Sequence, residues 1–481
     1  MDDLDACIMP EFIPPFPPRP KTSPSVLELL RLGTRNFLSI WEDAAFEYQT
    51  MSMQLLARQV FICNSPDSVR HAFITHAGNY ERKSPQMRNA LSPLLGDGLF
   101  VSDGETWKQR RRMVAPVLHT TRLGQFAPAM AAAASELGDR WAALPPDTTV
   151  DVLKAMAQLT AEIIGRTVFG QALGSDRTRE VVEAFSDYQE HADQRDLTSL
   201  LGLPSWIPRR RGPLIARSAA RIHAILDGII ADLRGTSGDG SVIRMLMQAE
   251  GGGGLDAAAL RNEAAVIFMA GHETTANCLA WAWYLLSQSP EVEARLHGEL
   301  DAVLGARAPA LADVPQLIYT RAIIDETLRL YPPVPLLARE ATREDTIRGR
   351  RVKAGALVIV VPWLLHRHRL FWRDPDHFIP ERFLPGSPDA PQKYTYVPFS
   401  IGPRICAGLS FGLTESIICL ATLARRARLR LADGAVVEPV CRLTLRPGDG
   451  LPMTVSRRDS RPAGRASQAA APVLRCPAGH G

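Results

Sequence analysis

Cys406 stands in a loop shaped by glycine and proline, Pro398-Phe399-Ser400-Ile401-Gly402-Pro403-Arg404-Ile405-Cys406-Ala407-Gly408. An apolar helical pattern, Leu409 to Leu423, follows directly. A cysteine at a helix N-terminus meets free backbone N–H groups and the positive end of the helix dipole, and both favour thiolate over thiol. Gly402 and Gly408 let the backbone come close to a flat partner. A thiolate presented in this way can serve as a metal ligand or as a nucleophile. The nucleophile needs a histidine base nearby, and the loop holds none.

The pattern Phe-x-x-Gly-x-Arg-x-Cys-x-Gly fixes five residue types over ten positions, and in it the sequence resembles the cytochrome P450 family. The resemblance implies haem b, iron protoporphyrin IX, with Cys406 as axial thiolate and Phe399, Gly402 and Gly408 shaping the loop beneath it. It implies a monooxygenase that activates O₂ and oxidises a hydrophobic small molecule. Ala270-Gly271-His272-Glu273-Thr274-Thr275 resembles the family's oxygen-activation motif. Here Gly271, next to Ala270, leaves out a side chain where a bound ligand needs space. Glu273 and Thr274 supply a carboxyl and a hydroxyl as catalytic groups, a relay for the two protons that oxygen activation consumes. Without such a use, a carboxylate in a largely apolar helix is costly to bury.

The same resemblance assigns cations to the haem propionates. Trp107 and Arg111, four apart on one helical face, form one contact. Arg339 and Arg404 fit two more, since a dianionic haem buried in protein needs such partners. Glu326 and Arg329, three apart, are implied to form a structural brace with Arg382 of Pro380-Glu381-Arg382-Phe383. Lys108, Arg110 and Arg112 suggest a basic face for an acidic electron donor. The sequence contains no GxGxxG module and no ferredoxin-type cysteine cluster. Electrons are therefore expected from separate proteins, a ferredoxin or flavodoxin with its reductase. Two rival functions are a peroxide-dependent haem-thiolate peroxygenase and a non-enzymatic haem sensor or carrier. The Glu273/Thr274 pair argues against both.

The elements that must position these groups are mostly helical. Apolar periodicity predicts helices over Pro128–Leu144, Val150–Phe169, Leu214–Leu233, Asp256–Ser289, Pro290–Leu304 and Leu311–Leu330. The fourth, carrying Gly271 to Thr274, would be about 50 Å long and cross the whole domain. Strand-like runs are few: Val60–Ile62, Thr346–Ile347 and Leu357–Val361. The expected fold is mainly α with small β-sheets, a long central helix lying over a haem held by a cysteine loop. Its pocket is expected to be lined from Met87–Phe100, Glu183–Trp206 (with Leu200, Leu201, Leu203 and Trp206), Phe268–Thr274, Val334–Ala338 and a turn near Gly450–Met453.

Residues 1–24 form a proline-rich arm, 25–455 one haem-thiolate domain, and 456–481 read as a disordered tail. In that tail, Cys476 and His480 are too few to make a metal site. The Gly251–Gly254 run reads as a loop. The seven cysteines are scattered without a CxxC pair, which excludes a disulfide framework or zinc module and fits a cytoplasmic protein. A net charge of +4, from 55 basic and 51 acidic residues, does not point to nucleic acid. No uninterrupted apolar stretch is long enough to span a bilayer, and the N-terminus lacks a secretory pattern. A monomer is expected.

Overall fold

A computed structural model describes residues 12–458 apart from 26–27, 29–30, 34–35, 56–57, 171–173, 192–211, 236–239, 249–254 and 442. The Gly251–Gly254 loop, Leu200 to Trp206 and the tail with Cys476 and His480 lie outside the described residues.

Helices build the body. The long helix runs Ala257–Gln288, 32 residues, close to its expected bounds. Asp256 caps its start by accepting a 2.7 Å hydrogen bond from the Ala259 N–H. It is buried nearly all round and mostly apolar, as suits a helix enclosed by protein. Val152–Ile164 packs along it, Ile318–Leu330 and Leu409–Ala424 support it from other sides, and Leu123–Ala142 backs the last of these.

Two helical expectations break at identifiable residues. Thr148–Asp151 is a strand, paired antiparallel with Pro452–Val455, and the Asp151 carboxylate then caps helix Val152–Ile164. The Leu311–Leu330 pattern splits at Leu317 into a 3₁₀ segment, Leu311–Gln316, and helix Ile318–Leu330. Pro315 lacks the N–H that a continuous helix would need there. Glu299 supplies the new helix start, accepting from the N–H groups of Tyr319 and Thr320 at 2.5 and 2.9 Å.

The main sheet has five strands in the order Thr50–Leu55, Arg58–Cys63, Leu357–Val360, Leu337–Glu340, Arg82–Lys83. Its last pairing sets Lys83 opposite Arg339. Smaller sheets join Thr148–Asp151 to Pro452–Arg457 and Ala427–Leu431, and Pro439–Cys441 to Leu445–Pro447.

The described part of the proline arm, from residue 12, is non-helical and packs against the body. Pro14 is buried, and the Phe12 ring meets Tyr284 edge-on. The Pro15 carbonyl accepts 2.8 Å from the Tyr331 hydroxyl. Arg19 sits between the Phe16 and Phe46 rings and binds both oxygens of Asp376 at 2.6 and 2.9 Å.

Candidate active site

The cysteine loop is held by a backbone notch. Gly402 has φ +72°, and a Cβ there would stand 1.9 Å from the Phe73 carbonyl oxygen, so no side chain fits. The close approach that this glycine permits is to protein backbone, where the sequence reading assigned it to a flat ligand. Gly408 does face the cavity, its notional Cβ 3.9 Å from Cys406 Sγ. The Cys406 N–H donates to the Phe399 carbonyl at 2.9 Å. Sγ opens onto a cavity of about 260 Å³ also lined by Phe399, Gly408, Ala270, Gly271 and Thr274. Protein surrounds the sulfur on its other sides, and burial raises its thiol pKa. The Gly408 N–H, Arg111 and Lys83 oppose that rise without cancelling it. The helix terminus alone therefore does not make the thiolate; a metal ion taking the proton's place would.

Four cations surround this cavity. Arg111 is half-buried, and its Nη1 donates to the Ile405 carbonyl at 2.8 Å. Arg339 is only 3% exposed, with a single 3.2 Å bond to the Ala338 carbonyl, and burial pulls its pKa down to about 10. Lys83 was not expected at the site. It is 8% exposed, lies 4.8 Å from the centre of the Phe100 ring, and burial drives its pKa well below the ordinary lysine value. Among the described residues, none of these three has a carboxylate within 4.0 Å. Buried, unpaired cations are costly, and together they fit a ligand that brings two carboxylates of its own, as haem does. Arg404 differs. It lies 4.3 Å over the Trp107 ring, and its Nη2 is 3.0 Å from Asp103 and 3.6 Å from Glu81. Its Nε alone has no partner. Trp107 borders the cavity beside it.

Above the cavity, the Thr274 hydroxyl donates to the Ala270 carbonyl at 2.7 Å, and both residues line the wall. The Glu273 carboxylate accepts a 2.6 Å bond from the Thr444 hydroxyl, which accepts in turn from Asn277 Nδ2 at 3.0 Å. Gly271 makes its space for protein: a Cβ there would meet Ile164 Cδ1 at 2.5 Å. The glycine thus lets helix Val152–Ile164 approach, rather than reserving room for a ligand. Next to it, the His272 carbonyl accepts from Thr160 Oγ1 at 2.7 Å, a second tie between these helices. The His272 ring packs 4.8 Å from Phe268 and 5.9 Å from Phe185, and burial lowers its pKa to about 4.

A second cavity of about 560 Å³ meets the first at Met87, Phe100, Ala270, Thr274 and Val334. Its wall is mostly apolar. The spans Met87–Phe100 and Val334–Ala338 contribute as expected, while Phe268 is buried behind Met269. The turn at Gly450–Met453 does not reach it, because Leu451 is tied to Asp151 at 3.1 Å; Cys441, Leu443 and Thr444 line it instead. Phe37, Trp41 and Met51 also line it and carried no periodic signal, and Ile359 joins them from the strand-like run Leu357–Val361.

The brace is assembled as expected. Arg329 grips Glu326 through Nε at 2.6 Å and Nη2 at 2.7 Å, Arg382 Nε lies 3.5 Å from the same carboxylate, and all three side chains are fully buried. Arg329 also donates to the carbonyls of His366, Pro375 and His377 at 2.6–2.9 Å. The expected basic face is smaller than the sequence implied. Lys108 and Arg112 are exposed, but Arg110 is buried and bonds Asp97 at 3.0 Å.

The cytochrome P450 family model matches residues 17–449 of this chain. Cyclooctatin synthase of Streptomyces melanosporofaciens is 33% identical over 403 residues, covering 83% of this chain and 86% of its own. Cyclooctat-9-en-7-ol 5-monooxygenase of the same organism is 33% identical over 351 residues, 72% and 75% of the two chains. The crystal structure of the cytochrome P450DA heme domain superposes with a TM-score of 0.76 over 85% of this chain and 90% of its own, at 24% identity.

Proposed function

This chain belongs to the cytochrome P450 family and is a haem-thiolate monooxygenase acting on a hydrophobic substrate, and we propose that the Cys406 thiolate would hold the haem iron. The observation that carries the assignment is the cavity at Cys406 ringed by Lys83, Arg111 and Arg339, cations without carboxylate partners among the described residues. Haem b would sit there with its propionates on these three groups, Trp107 and the free Nε of Arg404. Phe399, Gly402 and Gly408 would hold the loop under it, and Ala270 and Gly271 would border its other face. Bound haem supplies the activation of dioxygen and transfer of one oxygen atom to a C–H bond.

The remaining work falls to side chains. Thr274 on the cavity wall would hand protons to the oxygen site. Glu273, held by Thr444, would resupply them from the larger cavity. The apolar wall of that cavity would desolvate and orient the substrate. A relative named cyclooctat-9-en-7-ol 5-monooxygenase makes an apolar cyclic alcohol the first compound to try. The family requires electrons from redox partners. We assign a ferredoxin or flavodoxin with its reductase, docking on the side of Lys108 and Arg112. No described helix is long and apolar enough to cross a membrane. The described cysteines are all free, which favours a cytoplasmic setting, and one domain over 25–455 acting as a monomer completes the proposal.

Carbon monoxide bound to the reduced protein tests the ligand. The wild type should show the absorbance of thiolate-ligated haem, and Cys406→His should lose it. An unchanged spectrum in that variant would remove the assignment.

A further inference from the structure

Away from the haem cavity, His71–Thr75 is a turn of π-helix, closed by a 2.8 Å hydrogen bond from the His76 N–H to the His71 carbonyl. In an α-helix, residues five apart point in different directions. The wider π-turn brings them together: the His71 and His76 rings stack with centroids 4.0 Å apart and planes at 28°. Such turns are uncommon and occur often at functional positions. A third group converges from the strand Asp345–Ile347. Asp345 Oδ2 lies 2.8 Å from His71 Nε2. One ligand atom from each of the three residues lies within 4.8 Å of the other two.

We infer that His71, His76 and Asp345 form a binding site for a divalent late first-row metal ion, zinc being the simplest case. Two imidazoles and a carboxylate suit such ions and suit magnesium or calcium poorly, since those prefer oxygen ligands. Bonds of about 2.0–2.2 Å place neighbouring ligand atoms of a tetrahedral ion about 3.3 Å apart, so small side-chain shifts complete the site. The proton between His71 and Asp345 passes to solvent when the ion takes its place.

The carboxylate is already oriented. The Tyr80 hydroxyl donates to Asp345 Oδ2 at 2.7 Å, and the Thr346 N–H donates to Oδ1 at the same distance. Such outer bonds fix a ligand before the metal arrives. His71 and Asp345 are half-buried and His76 is exposed, so an ion can enter from solvent and keep a water as its fourth ligand. The site is independent of the haem assignment.

Isothermal titration of tag-free, chelator-treated holoenzyme with zinc chloride tests it. The wild type should bind one zinc at this site. His76→Ala and Asp345→Asn should each weaken that binding at least ten-fold, with the carbon monoxide spectrum unchanged as proof of folding. Absence of saturable binding overturns the inference. So does binding that both variants leave intact, or that is lost instead in Cys476→Ser.

Discussion

Thr444 holds the Glu273 carboxylate at 2.6 Å, from a turn 171 residues further along the chain. The acid proposed for the proton relay is therefore not positioned by its own helix alone. Asn277, one helical turn on, donates to the same hydroxyl at 3.0 Å and fixes its direction. The hydroxyl proton is committed to Glu273, which keeps that carboxylate an acceptor on the cavity wall.

Thr444→Val deletes this donor and keeps the shape. Proton delivery by a positioned group is worth about 10²–10⁴-fold, and loosening the acid should forfeit a small part of that, about five-fold in coupled turnover. Substrate KM should stay within about two-fold and Thr444→Ser should recover the rate. Oxygen consumed per product formed is the readout, and normal coupling in the valine variant would show that Glu273 needs no such support.

Lys83 and Arg404 should separate in haem retention. Lys83→Met removes a buried cation that has no carboxylate partner among the described residues. Losing one charge-assisted bond to a propionate costs about 1.5 kcal/mol, or about ten-fold in haem dissociation. Arg404→Leu removes a guanidinium already neutralised by Asp103 and Glu81, so haem loss should quicken less than in Lys83→Met. Transfer of haem to apomyoglobin measures both, and equal rates for Lys83→Met and wild type would count against the assignment.

Acid stability carries the mark of His272. Burial lowers its folded pKa to about 4, below the ordinary histidine value of about 6.5, so the native state binds fewer protons between those limits. Its contribution is present above pH 6.5 and drains away as pH falls toward 4, by up to about 3 kcal/mol. His272→Phe cannot titrate. The gap in thermal midpoint between wild type and variant should shift in the variant's favour from pH 7 to pH 4, and parallel curves would refute the burial argument.

The brace should respond to loss of one arm. Arg329→Ala leaves the buried Glu326 carboxylate with the Ile379 N–H at 2.8 Å and, as its cation, Arg382 at 3.5 Å. Stranding a buried charge costs about 3–5 kcal/mol. The variant should accumulate as haem-free protein or melt well below wild type; a wild-type melting curve would show that the pair is dispensable.

Local patterns were legible. Cys406 and its glycines, the Glu326/Arg329 spacing and the long helix depend on neighbours a few residues away. Lys83 was not, because Glu81-Arg82-Lys83 reads as a charged surface stretch until pairing with Leu337–Glu340 buries its third member. Nor could the glycine pattern show that Gly271 accommodates Ile164 and Gly402 the Phe73 carbonyl, since both partners are distant in sequence. The lining turn was misplaced for the same reason. Cys441 to Thr444 and Gly450 to Met453 flank similar short strands, and only the tie from Leu451 to Asp151 shows which of them turns away.

The proline arm has a consequence for how the protein is made. Phe12, Pro15 and Arg19 leave the ribosome well before Tyr284, Tyr331 and Asp376, the residues on which they dock. The last of these contacts spans 357 positions. The arm must therefore stay undocked until those partners have been made, and close over a body that has already gathered.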